Sequence, residues 1–263
     1  MGSAPTLLRR VDADAYGHEV WDYFTRREGH ETVEREDGLI DPSETLPQGY
    51  FAPLKDWDSV ERKGIVFAKG RVLDVGCGAG RVALYLQRYR KLEVLGVDSS
   101  PLALRVARAR GIRRTRLMAF EDIAFASGSF ETVIMYGNNF GLFGNRNKAR
   151  RLLKKLWAMT SKDAVIICSS VDPYKTDNPD HLRYQRWNRA RGRMAGQIRM
   201  RIRYRAHVGE WFDYLLVSPR EMEEIVTGTG WRVERFIRTR GPLYVGVLTK
   251  NQVQLGEVTA PRP

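Results

Sequence analysis

From residue 71 to residue 170 short apolar runs alternate with amphipathic helical stretches, and this alternation limits the fold more than any other feature of the chain. The apolar runs are "RVLDVG" (71–76), "LEVLGVD" (92–98), "RLMAFE" (116–121), "ETVIMY" (131–136) and "AVIICSS" (164–170). The helical stretches between them are "AGRVALYLQRY" (79–89), "SSPLALRVARARG" (99–111) and "NKARRLLKKLWAMT" (147–160). Strands this apolar must be covered on both faces, and strands joined through helices run parallel. The predicted class is therefore α/β, a doubly wound, mostly parallel sheet with helices on both faces. The second helix carries its own punctuation: a Ser cap, Pro101 in the first turn and Gly111 just past the end.

Outside this region the pattern changes. Residues 13–27, "ADAYGHEVWDYFTRR", read as an amphipathic helix with Tyr16, Val20 and Phe24 on one face. Residues 27–57 are polar and broken by Gly and Pro, and read as an irregular connector or lid. After residue 171 the alternation stops. A polar stretch leads to "GQIRMRIRYR" (196–205), whose turn "AHVGE" returns through "WFDYLLV" as an antiparallel partner. Then "SPREMEEIVTGTG" restores a helix with a Ser218–Glu221 capping box, and "WRVERFIR" and "LYVGVLT" close as strands. The plan is an N-terminal cap helix and connector over 1–60, a main domain over 61–250 with a β-hairpin insertion near 172–217, and an aperiodic tail over 251–263.

The formal charge is +13, and it is unevenly placed. Nine arginines and no acid lie between His181 and Gly209, and six more arginines lie in "RVARARGIRRTR" (105–116). In "IRMRIRYR" the arginines share one parity and Ile198, Met200, Ile202 and Tyr204 the other, which predicts one packed face and one solvated face. Such a row either keeps a strand edge soluble or grips phosphates. Tyr204 has the wrong parity to interleave with the arginines, so the solvated surface is the preferred expectation. The two cysteines, Cys77 and Cys168, sit in apolar strand-like surroundings, which fits a reducing, cytoplasmic setting and rules out a cysteine-rich zinc site. No apolar run reaches membrane-spanning length, and the first residues lack a hydrophobic signal core.

The chemistry-bearing stretch is "VLDVGCGAGR" (72–81), a buried strand that ends at Asp74 and turns through Gly76, Gly78 and Gly80 into a helix. A dinucleotide fingerprint needs glycines spaced G-x-G-x-x-G, and from Gly76 or Gly78 the last would fall on Arg81 or Ala83. The stretch resembles instead motif I of the class I S-adenosylmethionine-dependent methyltransferases. The likeness continues in "LGVDSSP", where Asp98, followed by Ser99, stands at the family's ribose-binding acid. It continues again in "AFEDIAFASGSFETVIM", where Phe120, Glu121 and Asp122 stand at the adenine-contacting motif, with either acid in the contacting role. The resemblance implies a seven-stranded sheet with an antiparallel last strand and S-adenosylmethionine as cofactor. It also implies a cofactor site of Asp74, Gly76, Cys77, Gly78, Gly80, Asp98, Ser99, Phe120, Glu121 and Asp122. Within that set Cys77 reads as a packing residue, since nothing nearby would activate its thiol. No metal is expected.

At "YGNNFGLFGN" (136–145) the chain departs from amino-methylases of DNA bases, which carry an Asp/Asn-Pro-Pro-aromatic signature there. Asn138 and Asn139 remain as acceptor-side candidates, with Tyr16, Trp21, Tyr174 and Trp211 as pocket walls. Asn138 and His207, the latter in the turn of the hairpin, are the candidate catalytic groups, a base being needed only if the acceptor arrives protonated. The expected function is methyl transfer to a small molecule by in-line displacement, without membrane partners. The alternatives are an RNA methyltransferase that docks phosphates on the arginine-rich insertion, and a non-catalytic S-adenosylmethionine-binding protein.

Overall fold

The computed structural model describes residues 11–42 and 47–251, so the tail from residue 252 lies outside the described residues. Its strands are β1 (Thr32–Arg35), β2 (Ile40–Pro42), β3 (Arg71–Val75), β4 (Glu93–Asp98), β5 (Thr115–Leu117), β6 (Phe130–Met135), β7 (Thr160–Val171), β8 (Gln197–Tyr204), β9 (His207–Val208), β10 (Phe212–Leu215), β11 (Trp231–Arg238) and β12 (Leu243–Lys250). Its α-helices are α1 (Ala15–Arg26), α2 (Ser59–Gly64), α3 (Arg81–Arg88), α4 (Pro101–Ala109), α5 (Arg146–Met159), α6 (Pro179–Ala190) and α7 (Pro219–Val226).

The main sheet has the order β11-β12-β7-β6-β3-β4-β5. From β5 through β4, β3 and β6 to β7 each pairing is parallel, while β12 runs antiparallel to both β7 and β11. Strand parity divides the core. Leu73, Val75, Val133 and Met135 face α5 and α7, where Leu152, Leu153, Leu156, Met222 and Ile225 are buried. Val72, Val94 and Ile134 face α2, α3 and α4 through Val60, Val82, Leu86 and Ala107. The Ser218–Glu221 capping box forms, and Ser100 caps α4 by accepting from the Ala103 N–H.

A second sheet, of order β10-β8-β1-β2 with β9 also on β8, departs from the sequence expectation. The connector predicted to be irregular supplies β1 and β2, and β8 is a central strand, paired with β10 on one side and β1 on the other. The polar stretch after residue 171 also contains α6, capped by Asn178 and fastened by Arg35, whose guanidinium lies 4.1 Å over Tyr184 and donates to the Asp180 carbonyl. Neither element has apolar periodicity, because both are held by charges and hydrogen bonds from elsewhere in the chain.

The arginine row stays partly open to solvent, but its charges are met by acids of the same chain. Thr32, Glu34 and Asp213 stand opposite Arg203, Arg201 and Arg199 in the ladder. Glu34 accepts two bonds from Arg201, at 2.8 and 3.0 Å, and one from Arg203. Asp213 pairs with Arg199 at 3.2 Å, and Arg205 reaches Asp22 and Glu28. Every residue of β8 before Tyr204 is half-buried. Hydrogen bonds from Arg201 and Arg203 hold the Glu34 carboxyl below its ordinary range. Glu34→Gln leaves two guanidiniums side by side without their shared carboxylate. Trypsin is expected to cut this variant faster within residues 27–42 while the main melting transition stays in place. Equal cleavage of variant and wild type would show that the ion pairs do not hold the cap sheet together.

Candidate functional site

The carboxyl ends of β3, β4 and β6 bring the glycine turn, Asp98 and the Gly137–Asn139 turn to one edge of the sheet. At the turn, Gly76 and Cys77 donate to the Val97 carbonyl at 2.9 and 3.1 Å, so the backbone folds back on β4. Gly78 has φ +51°, and its α-carbon lies against the Tyr16 hydroxyl, leaving no room for a side chain. Cys77 is buried against Gly96, and burial pushes its thiol well above the ordinary range, which suits packing and not nucleophilic attack.

Asp98 accepts the Gly78 N–H at 2.8 Å on one oxygen and the Ser100 N–H at 2.9 Å on the other. Asp74 is 3% exposed, and its Oδ2 has no hydrogen-bond partner. Burial pushes the Asp74 carboxyl up to about 7, against the opposing pull of the Arg81 charge. A buried acceptor left unpaired is costly unless a ligand donor meets it.

Asp14 joins the cap to the start of α4. Asp14 accepts from the Gly17 N–H at 3.0 Å, capping α1, and from the Ser100 hydroxyl at 2.6 Å, at the start of α4. That joint places Tyr16 over Gly78, edge-on to Tyr50 at 5.3 Å. Below them Glu19 is fully buried, with Oε1 accepting the Glu31 N–H at 2.8 Å. Burial and the neighbouring Glu31 push the Glu19 carboxyl well above its ordinary range. Burial, then Asp98, raises the Tyr16 hydroxyl well above its ordinary value.

On the acceptor side, Asn139 Nδ2 donates to the Val75 and Gly76 carbonyls, each at 3.0 Å. Asn138 has φ +64°; its N–H donates to Ser169 Oγ, its Oδ1 accepts the Val171 N–H, and its carbonyl accepts the Tyr214 hydroxyl at 2.7 Å. The structure thus gathers Asp74, Gly76, Cys77, Gly78, Asp98, Tyr16, Asn138 and Asn139. Gly80, φ +82°, opens α3 against Ile112, and Ser99 follows Asp98 half-buried.

Other candidates make their contacts elsewhere. Phe120 is buried against Phe143, Glu121 is ion-paired to Lys148, and Asp122 is exposed. Trp21 lies under Arg105, Trp211 under Arg201, and the Tyr174 hydroxyl donates to Glu221. The His207 ring stacks on His18 at 3.5 Å, and its Nδ1 lies 3.2 Å from the Asp12 carbonyl. Glu61 was not legible as a site residue. It is 3% exposed and bonds Arg81, Gly137 and Ser169, partners that only the fold brings to it.

The methyltransferase-domain family matches residues 72–163, from β3 into β7. A solved S-adenosylmethionine-dependent methyltransferase from Bacteroides fragilis, in complex with S-adenosyl-L-homocysteine, is 26% identical, with a TM-score of 0.81 over 95% of this chain and 100% of that one. The chain belongs to the class I S-adenosylmethionine-dependent methyltransferases. Its cofactor is S-adenosylmethionine. A methyltransferase from Methanosarcina mazei, 16% identical, has a TM-score of 0.58 over 74% of this chain and 98% of that one. The CcbJ methyltransferase from Streptomyces caelestis, 14% identical, has a TM-score of 0.54 over 78% and 98%. These two share the fold. No curated protein sequence matches this methyltransferase. Among the described residues no group of three or more His, Cys, Asp or Glu is placed to hold a metal ion, and no helix is long and apolar enough to cross a membrane.

Asp74 has a consequence for stability. Its carboxyl titrates at about 7 in the fold, against about 3.9 in an unfolded chain. The folded state therefore holds the extra proton between those values. Asp74's contribution is fully present below pH ~4 and is lost as the pH rises through 7, a forfeit on the order of 4 kcal/mol. Ligand-free Asp74→Asn is expected to melt above wild type at pH 8, with the gap closing as the pH approaches 4. Melting curves across that range check it, and a gap independent of pH would contradict the assignment.

Proposed function

We propose that this methyltransferase transfers its methyl group to a small-molecule acceptor by direct in-line displacement, inside a pocket closed by the N-terminal cap and the 172–217 insertion. The observation that carries this reading is the internal pairing of the arginine row. A phosphate-docking strip needs cationic groups facing outward. Here Arg199, Arg201, Arg203 and Arg205 meet Asp213, Glu34, Asp22 and Glu28 of the same chain. The row therefore supports a cap built to cover a site.

The residues at the sheet edge fit the cofactor. Asp98, already fixed by two backbone bonds, would take the ribose hydroxyls, and the orphaned Asp74 Oδ2 would meet the methionyl ammonium. Bound S-adenosylmethionine supplies an electrophilic methyl group. The protein's part is then to orient and to exclude water. Asn139 fixes the glycine turn from the acceptor side, Tyr16 and Tyr50 cover it from the cap, and Tyr214 braces the Asn138 carbonyl. Effective methyl transfer requires the acceptor atom held in line, about 3–3.5 Å from its target. Of the two candidate catalytic groups, Asn138 is the one gathered at the site. Their present bonds give Asn138 a place in the acceptor-side turn and His207 a place at the join of cap and insertion.

Two measurements test the reading. Asp98→Ala should weaken S-adenosylhomocysteine binding at least about tenfold by calorimetry, the scale of a lost hydrogen bond to a charged group. Unchanged affinity would place the ribose elsewhere. With methyl-labelled S-adenosylmethionine offered to total RNA and to a small-molecule extract, label is expected in the small-molecule fraction. Label in RNA would reverse the substrate assignment.

A further inference from the structure

One buried carboxylate belongs to neither side of the proposed site and is bonded to both. Glu61, on the short helix α2, is 3% exposed. Its Oε2 accepts from Arg81 Nη2 at 2.8 Å, and Arg81 is the first residue of α3, directly after the glycine turn. Its Oε1 accepts the Gly137 N–H at 2.9 Å and the Ser169 hydroxyl at 3.1 Å. Ser169 Oγ in turn accepts the Asn138 N–H at 2.9 Å. The Arg81 guanidinium is stacked 4.6 Å over Trp57, which holds its fork in one orientation. The remaining bridge between the turns is Asn139 Nδ2 on the Val75 and Gly76 carbonyls.

We propose that Glu61 is a positioning residue that locks the glycine turn to the Gly137–Asn139 turn, so that the cofactor and acceptor sides of the site are set in one register. The proposal rests on the reading that the first turn holds S-adenosylmethionine and the second faces the acceptor. A carboxylate is the side chain that can do this, because it only accepts and has lone pairs for three donors at once. The charge-assisted bond from Arg81 makes the lock stiff, and its burial keeps water from competing. The ordering of one turn is thereby passed to the other through a contiguous set of bonds.

The test is amide hydrogen exchange with S-adenosylhomocysteine as the probe. In the wild-type protein, binding is expected to slow exchange at residues 76–81 and also at 137–139. Glu61→Gln keeps an acceptor for Gly137 and Ser169 but turns an amide donor toward Arg81. It should retain the protection at 76–81 and lose the ligand-dependent part at 137–139. Ser169→Ala removes only the hydroxyl arm and should lose that part at Asn138 in a strand that keeps its backbone pairing. A residue that merely stabilised the fold would change exchange equally with and without ligand. Undiminished ligand-dependent protection at 137–139 in both variants overturns the proposal, as does wild-type protein that binds the probe without protecting that turn. Wild-type protein that does not bind the probe at all overturns the cofactor reading beneath it.

Discussion

The Asp98 carboxylate takes one backbone N–H from the turn that follows β3 and one from the turn that follows β4. Much of the molecule is arranged around that pair of bonds. They fix Gly78 in a conformation that leaves its α-carbon open to Tyr16, and they hold the first turn of α4 where Ser100 can meet Asp14. The cap helix then has one available seat, over the glycine turn. The same acid that would hold a ribose thus also determines where the roof begins.

Charge in the insertion is used for joining. The basic excess of the insertion is met by acids from the connector and the return strand, and Glu36 likewise draws in Arg191 and Arg193. Exposed pairs of this kind contribute little each. Their value lies in register, since a strand with Glu34 opposite Arg201 fits only one alignment of β1 on β8. Buried acids have the opposite economy. Burial raises the proton affinity of Asp74, whose Oδ2 is unpaired at the end of β3, and of Glu19, which braces the cap through the Glu31 N–H.

The parts of the fold that were legible are those whose signals are local. Short apolar runs, the Ser100 and Ser218 caps and the spacing of Gly76, Gly78 and Gly80 each announce their structure within a few residues, while the cofactor roles expected of Asp74 and Asp98 come from the family resemblance. What was not legible is pairwise and distant. "TVER" has no strand period, and becomes β1 because Val33 and Glu34 meet Ile202 and Arg201. Likewise α6, a polar helix, is specified by Arg35 and Tyr184 meeting across the chain. Glu61 looks like any surface acid in "SVERKG" until the fold supplies Arg81, Gly137 and Ser169. The parity of "IRMRIRYR" was read correctly as two faces, but which acids would cover the charged one depended on β1.

The position of β8 between β1 and β10 also sets an order of events. β1 is made early in synthesis, yet its partner belongs to the far half of the chain, beyond the whole parallel core. Until that partner emerges, the first strands have only each other, and a lone two-stranded hairpin is marginal in water. Closing so long a loop is slow compared with forming the neighbouring β–α units. The β–α units of the parallel sheet are therefore expected to form before β1 meets β8, and the cap sheet to close over them afterwards.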